Sequence, residues 1–335
     1  MRIIKVISVL FIFLVTFSCT KQIPPKTSFY FWRTTYKLSS EEKEALQENS
    51  VSKLYVRYFD IDLNKENEPI PRSAIRFEEL PVGMEIVPVV YIKNRVFLKD
   101  TIDLEALATK TFKYIEAICA SAKIDFKEVQ IDCDWSLKSQ VNYLDFIELF
   151  KQISKKKLSA TIRLHQVKYY TKTKVPNVDE GVLMYYNMGT ISSDSLNSIY
   201  DKSIARRYIK SLKNYPLKLN YALPIFSWGV QIRNRQVVGV RGKINEADLK
   251  ADANIIDLKD NFYQVKQSFY KNGVYYQERD IIKIEAIQKA DLLEMVSDIE
   301  KYTVTPPNEI IYYDLDAINL KNYEKNIFKE VSTSF

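Results

Sequence analysis

Apolar positions along the chain follow two rhythms that alternate. Short runs rich in β-branched and aromatic residues read as eight strands: SFYFWRTTY, KLYVRYFDID, EIVPVVYI, EVQIDCDW, LSATIRLHQV, GVLMYYNMG, LNYALPIFSW and EIIYYDLDAI. Between several of them, apolar residues recur every three to four positions behind a capping residue. Ser39 and Ser40 precede EEKEALQEN, Asp103 precedes LEALATKTFKYIEAICASA, and Ser139 precedes QVNYLDFIELFKQISKK. Ile115, Ile118 and Cys119 mark the apolar stripe of the helix behind Asp103. Strands separated by helices pair in parallel, so this order predicts an α/β fold, a (β/α)8 TIM barrel, with residues 28–335 as one domain. An open doubly wound sheet is the alternative. The rhythm breaks over about 231–285, where Asn272-Gly273 stands between alternating aromatics in VKQSFYKNGVYYQERDIIKIEA. That predicts a small β insertion between strands seven and eight, with a tight hairpin at the Asn-Gly pair. DLLEMVSDIEKY then reads as the last helix before strand eight, stopped by Pro306-Pro307.

The first residues obey neither rhythm. Arg2 and Lys5 are followed by an almost unbroken apolar run from Val6 to Phe17 and then Ser18-Cys19. The run is too short to span a bilayer, which takes about 20 residues, so 1–18 reads as a signal peptide. A small residue directly before a cysteine resembles the bacterial lipobox, which implies lipidation of Cys19. Residues 19–27, with Pro24 and Pro25, then form a tether, and the expected address is the cell envelope, on the periplasmic or surface side of the outer membrane. An ordinary secretory leader is the alternative.

Composition narrows the chemistry. With 46% hydrophobic residues the chain can build a large core. Removing Arg2 and Lys5 takes the formal charge from +7 to +5, dispersed along the sequence, which argues against nucleic acid as a partner. One histidine and three cysteines do not make a Cys/His metal cage or a disulfide framework, and Cys119 and Cys133 sit in apolar runs that predict buried thiols. No G-x-G-x-x-G or P-loop is present, so neither a cofactor nor a metal is expected. The chain is expected to act as a monomer.

Barrel enzymes work at the C-terminal ends of the strands, where side chains of one parity face inward. In strand four, Val129, Ile131 and Cys133 are apolar, which places Gln130, Asp132 and Asp134 inside. The same rule selects Arg163 and His165 in strand five, Tyr185 and Asn187 in strand six, and Arg57 in strand two. Trp32, Trp135 and Trp228, with Tyr91 and Phe226, fall near strand ends, where flat rings stack on pyranose faces. Carboxylates with separated pKa values are the equipment for cleaving a glycosidic bond. Asp134 is read as general acid and Asp132 as its partner, with carbohydrate as substrate. Two aspartates on one strand cannot flank a bond, so a second carboxylate is sought among Asp60, Asp62, Glu285, Asp314 and Asp316. A rival reading takes the same cleft as a glycan-binding site without catalysis, the two arginines neutralising the aspartates. A third is a scaffold for a partner protein.

The run VQIDCDWS resembles the strand-four signature of family 18 glycoside hydrolases, D-x-x-D-x-D-x-E. Asp132, Asp134 and Trp135 match, whereas Val129 replaces the first aspartate and Ser136 the acid glutamate. The family's protonation of the leaving group therefore does not carry over. Over a longer span, FYFWRTTYKLSSEEK, KLYVRYFDID, ATIRLHQ, LMYYNMG and LPIFSWGV resemble bacterial lipoproteins similar to the domain of unknown function 3142. That resemblance implies a barrel related to glycoside hydrolases and assigns no residue a role.

Overall fold

In a computed structural model that describes residues 24–244 and 246–335, all eight sequence runs become barrel strands. They are strand 1 (Lys26–Phe31), strand 2 (Lys53–Leu63), strand 3 (Glu85–Ile92), strand 4 (Glu128–Asp132), strand 5 (Lys157–Arg163), strand 6 (Glu180–Met184), strand 7 (Leu219–Pro224) and strand 8 (Glu309–Tyr313). Each pairs in parallel with the next, and strand 8 pairs with strand 1, closing the barrel. Closure pairs each of the eight barrel strands on both sides and rules out the open alternative. The leader and Cys19 lie outside the described residues. Lys26 and Thr27, assigned to the tether, already pair with Glu309 and Ile310.

The helices follow their caps. Ser39 closes a capping box with Glu42 on the helix Ser40–Glu48, and Asp103 accepts from Ala106 N on Leu104–Ser121. Ile115, Ile118 and Cys119 are all buried on that helix, as their spacing predicts. Cys119 and Cys133 are buried free thiols. One connection departs from strict alternation. Between strands 2 and 3 no helix forms among the described residues; Pro69–Arg72 folds back antiparallel on Asp60–Leu63 instead. Its prolines lack the donors of an inner strand, which confines it to an edge.

The insertion begins at Trp228, slightly before the expected 231, and ends at Glu285. It is a five-stranded antiparallel sheet with its own core of Leu249, Tyr263, Val265, Tyr276, Ile282 and Ile284. The separate hairpin Phe269–Lys271 and Val274–Tyr276 turns at Asn272 (φ 51°) and Gly273 (φ 75°), the paired left-handed residues that a type I′ turn needs.

Charge closes the barrel floor at the N-terminal ends of the strands. Lys53 Nζ donates to Glu128 at 3.0 Å and Glu309 at 2.8 Å, and Lys157 Nζ donates to Glu180 at 2.9 Å. Glu309 also accepts from Ser28 and Tyr55, and Glu128 from Ser159. Lys53, Glu128 and Glu309 are all buried. Packing beside this floor is tight at Gly181, where a Cβ would sit 2.7 Å from Leu219 Cδ2 and 3.0 Å from Ile162 Cγ1. Gly181→Ala is therefore expected to lower the unfolding free energy by about 1–3 kcal/mol through overpacking. Urea denaturation checks it, and an unchanged midpoint would show that Leu219 can give way.

Candidate functional site

The barrel mouth has a charged side and an aromatic side. On the charged side, strand 4 ends in Asp132 and runs on to Asp134, and strand 5 contributes Thr161 and Arg163. Asp132 accepts from Thr161 Oγ1 at 2.7 Å and is 5% exposed. Burial pushes its carboxyl up to about 7, the Thr161 hydrogen bond opposes that rise, and the neighbouring Asp134 charge adds to it. Asp134 is part-exposed and lies 2.6 Å from Arg163 Nε, a charge contact without hydrogen-bond alignment.

On the aromatic side, strands 1, 6 and 8 supply a continuous set of rings. Tyr30 and Trp32 meet edge to face at 5.8 Å, Trp32 lies 5.5 Å from Tyr313, and Tyr186 stacks on Tyr313 at 5.5 Å and 23°. Phe226 and Trp228 extend the set at 5.2 Å from each other. The Tyr186 hydroxyl is buried without a protein partner. Asp132, Asp134, Thr161, Arg163, Asn187 and the rings of Tyr30, Trp32, Tyr91, Tyr186 and Tyr313 line one cavity of about 200 Å³. A neighbouring cavity of about 460 Å³ shares Asp134 and Arg163 with it and adds His165.

Of the residues read from the sequence, Asp132, Asp134, Arg163, Asn187 and Trp32 meet in this mouth cavity. His165 is exposed on the helix Leu164–Lys168, beyond the end of strand 5, in the adjoining cavity. Partial burial and the Arg163 charge push its imidazole below its ordinary range, and the Asp134 charge opposes them.

Four expectations are corrected. Tyr185 faces outward: its ring lies 6.1 Å from Tyr200, and the acids raising its pKa, Asp298 and Glu294, belong to the helix Lys289–Tyr302. The inward row of strand 6 is Glu180, Val182, Met184 and Tyr186. Selecting Tyr185 as inward leaves Met184 outside, but a closed barrel is apolar on both faces at this height and Met184 and Tyr185 themselves give no parity signal. Glu180 is buried on the barrel floor and carried that signal, two residues before Val182. Trp135 borders the adjoining cavity and not the mouth, and its ring is 2% exposed and stacked on Tyr143 at 5.2 Å and 16°. Arg57 is buried but is spent on Asp60, which it clasps at 2.8 and 2.6 Å, and it does not line the mouth cavity. Trp228 donates its Nε1 to Glu285 at 2.8 Å and stands behind Phe226, outside the lining.

The candidates for a second carboxylate are largely occupied. Asp60 is held by Arg57, Asp62 by Lys93 and Arg95, Glu285 by Lys283 and Ser198, and Asp316 by Lys243. Asp316 also caps the helix Ala317–Leu320. Asp314 has no cation partner among the described residues: it accepts from Asn319 at 2.7 Å, and burial pushes it up to about 6. It does not line the mouth cavity. Ser136, at the position of the family's acid, shares its hydroxyl with Ser139 at 3.3 Å and Asn94 at 3.4 Å. Among the described residues, no group of three or more histidine, cysteine, aspartate or glutamate side chains is arranged to hold a metal ion.

No family model matches the chain, and no characterised protein matches it in sequence. Solved structures match its fold. A family 18 chitinase from Cycas revoluta in complex with (GlcNAc)3 is 13% identical with a TM-score of 0.56, covering 92% of this chain and 98% of that one. A class V chitinase from Nicotiana tobaccum is 12% identical with a TM-score of 0.53, covering 92% and 99%. A chitinase from Rhizomucor miehei is 10% identical with a TM-score of 0.51, covering 91% and 99%. At such identities the likeness concerns the fold: this chain shares the TIM barrel of those glycoside hydrolases.

Proposed function

We propose that the protein is a glycan-binding barrel that holds a saccharide in its mouth without cleaving it. The observation that carries this reading is the Arg163 guanidinium seated on Asp134. That contact engages the Asp134 carboxylate with a cation, and Ser136 offers no acid in its place. What remains suits recognition: the Asp132 carboxyl, Asn187 and the free Tyr186 hydroxyl for sugar hydroxyls, with Trp32, Tyr91 and Tyr313 in the same lining for ring faces. Chitin oligosaccharides, bound by the Cycas revoluta enzyme, are the first ligands to offer. We place the barrel on the envelope through a lipid on Cys19, and keep the likeness to the uncharacterised lipoproteins as part of this reading.

A hydrolase is the second reading, favoured by Asp132, which near neutral pH is half protonated inside the cavity and so able to give a proton. One experiment separates the two. Wild type, Trp32→Ala and Asp132→Asn are titrated with a panel of oligosaccharides by calorimetry, and the mixtures are analysed for products by mass spectrometry. Binding that Trp32→Ala weakens at least tenfold, with no products, is the expected result. Products that vanish with Asp132→Asn would transfer the protein to the hydrolases, and a panel with neither binding nor products would remove the carbohydrate reading.

A further inference from the structure

A cavity of about 860 Å³, larger than those at the barrel mouth, lies between the insertion and Ile318. Its size falls within the range of small-molecule sites, about 300–1,000 Å³. The apolar wall comes from the inner face of the hairpin at Asn272-Gly273, where Phe269, Val274 and Tyr276 meet Leu249 of the helix Glu246–Lys250 and Ile282 of the sheet. Three cations also line it, and they differ in what they hold. Lys243 is neutralised by Asp316 at 2.6 Å, and Lys271 by Asp252 at 2.7 Å. Arg241 has no carboxylate within ion-pair distance among the described residues. Among the described residues its guanidinium donates to the carbonyl of the preceding Val240, at 3.2 Å, and its Nε is buried without a partner.

The strand beneath Arg241 makes room for it. A Cβ on Gly239 would lie 3.1 Å from an Arg241 terminal nitrogen, so the guanidinium rests over the one residue of that strand face with no side chain in its way. A guanidinium presents a planar fork of donors matched to a carboxylate, and buried donors normally find an acceptor. Here the protein supplies one backbone carbonyl and leaves the rest of the fork beside a chamber with one apolar wall, whose lining also includes Asp248 and the paired Lys271 and Asp252.

We propose that this chamber binds a small organic anion with an apolar body, its carboxylate on Arg241 and its chain against Phe269, Leu249 and Ile282. This site is separate from the barrel mouth and does not depend on what the mouth holds. Decanoate and the uncharged decanol serve as probes, titrated by calorimetry into the full chain as the cell processes it. One decanoate per chain is expected, with decanol at least tenfold weaker. Arg241→Gln should weaken decanoate at least tenfold while leaving decanol unchanged, and Arg241→Lys should restore part of the loss. Leu249→Trp, which fills the chamber, should remove both ligands, and its thermal transition reports whether it has folded. Decanoate that fails to bind wild type overturns the proposal, as does equal binding to wild type and Arg241→Gln, or equal affinity for decanoate and decanol.

Discussion

Lys53→Met is expected to lower the free energy of unfolding by about 3–5 kcal/mol, because it leaves the buried Glu309 without a cation and the buried Glu128 with Lys157 alone, 3.2 Å away. Lys53 lies on the barrel floor between Glu128 at 3.0 Å and Glu309 at 2.8 Å, with all three side chains less than one-tenth exposed. Burial alone would depress the lysine, yet the two glutamates outweigh it and hold the ammonium above its ordinary range. The methionine keeps most of the volume and the stem, so the loss reports charge rather than packing. Converting the partners as well, in Lys53→Met with Glu128→Gln and Glu309→Gln, should recover a large part of the loss, since the unpaired Glu309 charge is then gone and Lys157 keeps Glu180. Denaturant titration at pH 7 measures both. A loss under about 1 kcal/mol for the single variant would mean that water already screens the floor.

The second large effect has the opposite sign. Asp132→Asn is expected to stabilise the protein at pH 8 by up to about 4 kcal/mol, since its carboxyl rises from the usual 3.8 to about 7 and each pKa unit is worth about 1.4 kcal/mol. The folded state holds this proton more tightly than the unfolded chain. Its contribution to stability is therefore complete below pH 4 and is lost as pH rises through about 7. Asparagine keeps the shape and the acceptor for Thr161 but carries no charge to desolvate. The difference in stability between wild type and variant should be small near pH 4, grow across the window to pH 7 and level off above it. A difference that does not change with pH would show that Asp132 is solvated in the folded state.

The strands were legible because a parallel barrel strand is a short, β-branched and aromatic run, and each of the eight appears as one. The caps Ser39 and Asp103 and the Asn272-Gly273 turn were legible for a similar reason: each satisfies a local demand of the backbone that its own side chain or missing side chain meets. Parity was legible only where a polar residue marked it. Asp132, Asp134 and Arg163 could be placed inside because charged groups end strands 4 and 5. Tyr185 could not, because Met184 and Tyr186 are as apolar inside the barrel as Leu183 and Tyr185 are outside it. The barrel floor was missed because Lys53, Glu128, Glu180 and Glu309 are far apart in sequence, and each by itself looks like an exposed charge at a strand start.

By itself, then, the sequence determined the order of strands and helices, the place of the β insertion and the row of polar groups on strands 4 and 5. These follow from side-chain periodicity and capping, which act over a few residues. Tertiary structure alone decided which of those groups remain free. Whether Arg57 reaches a ligand or Asp60, whether Trp135 shows a face or stacks on Tyr143, and whether Arg241 finds a partner all depend on contacts between distant segments. Pairing and burial are properties of space, and only closure of the barrel brings the competing partners within range.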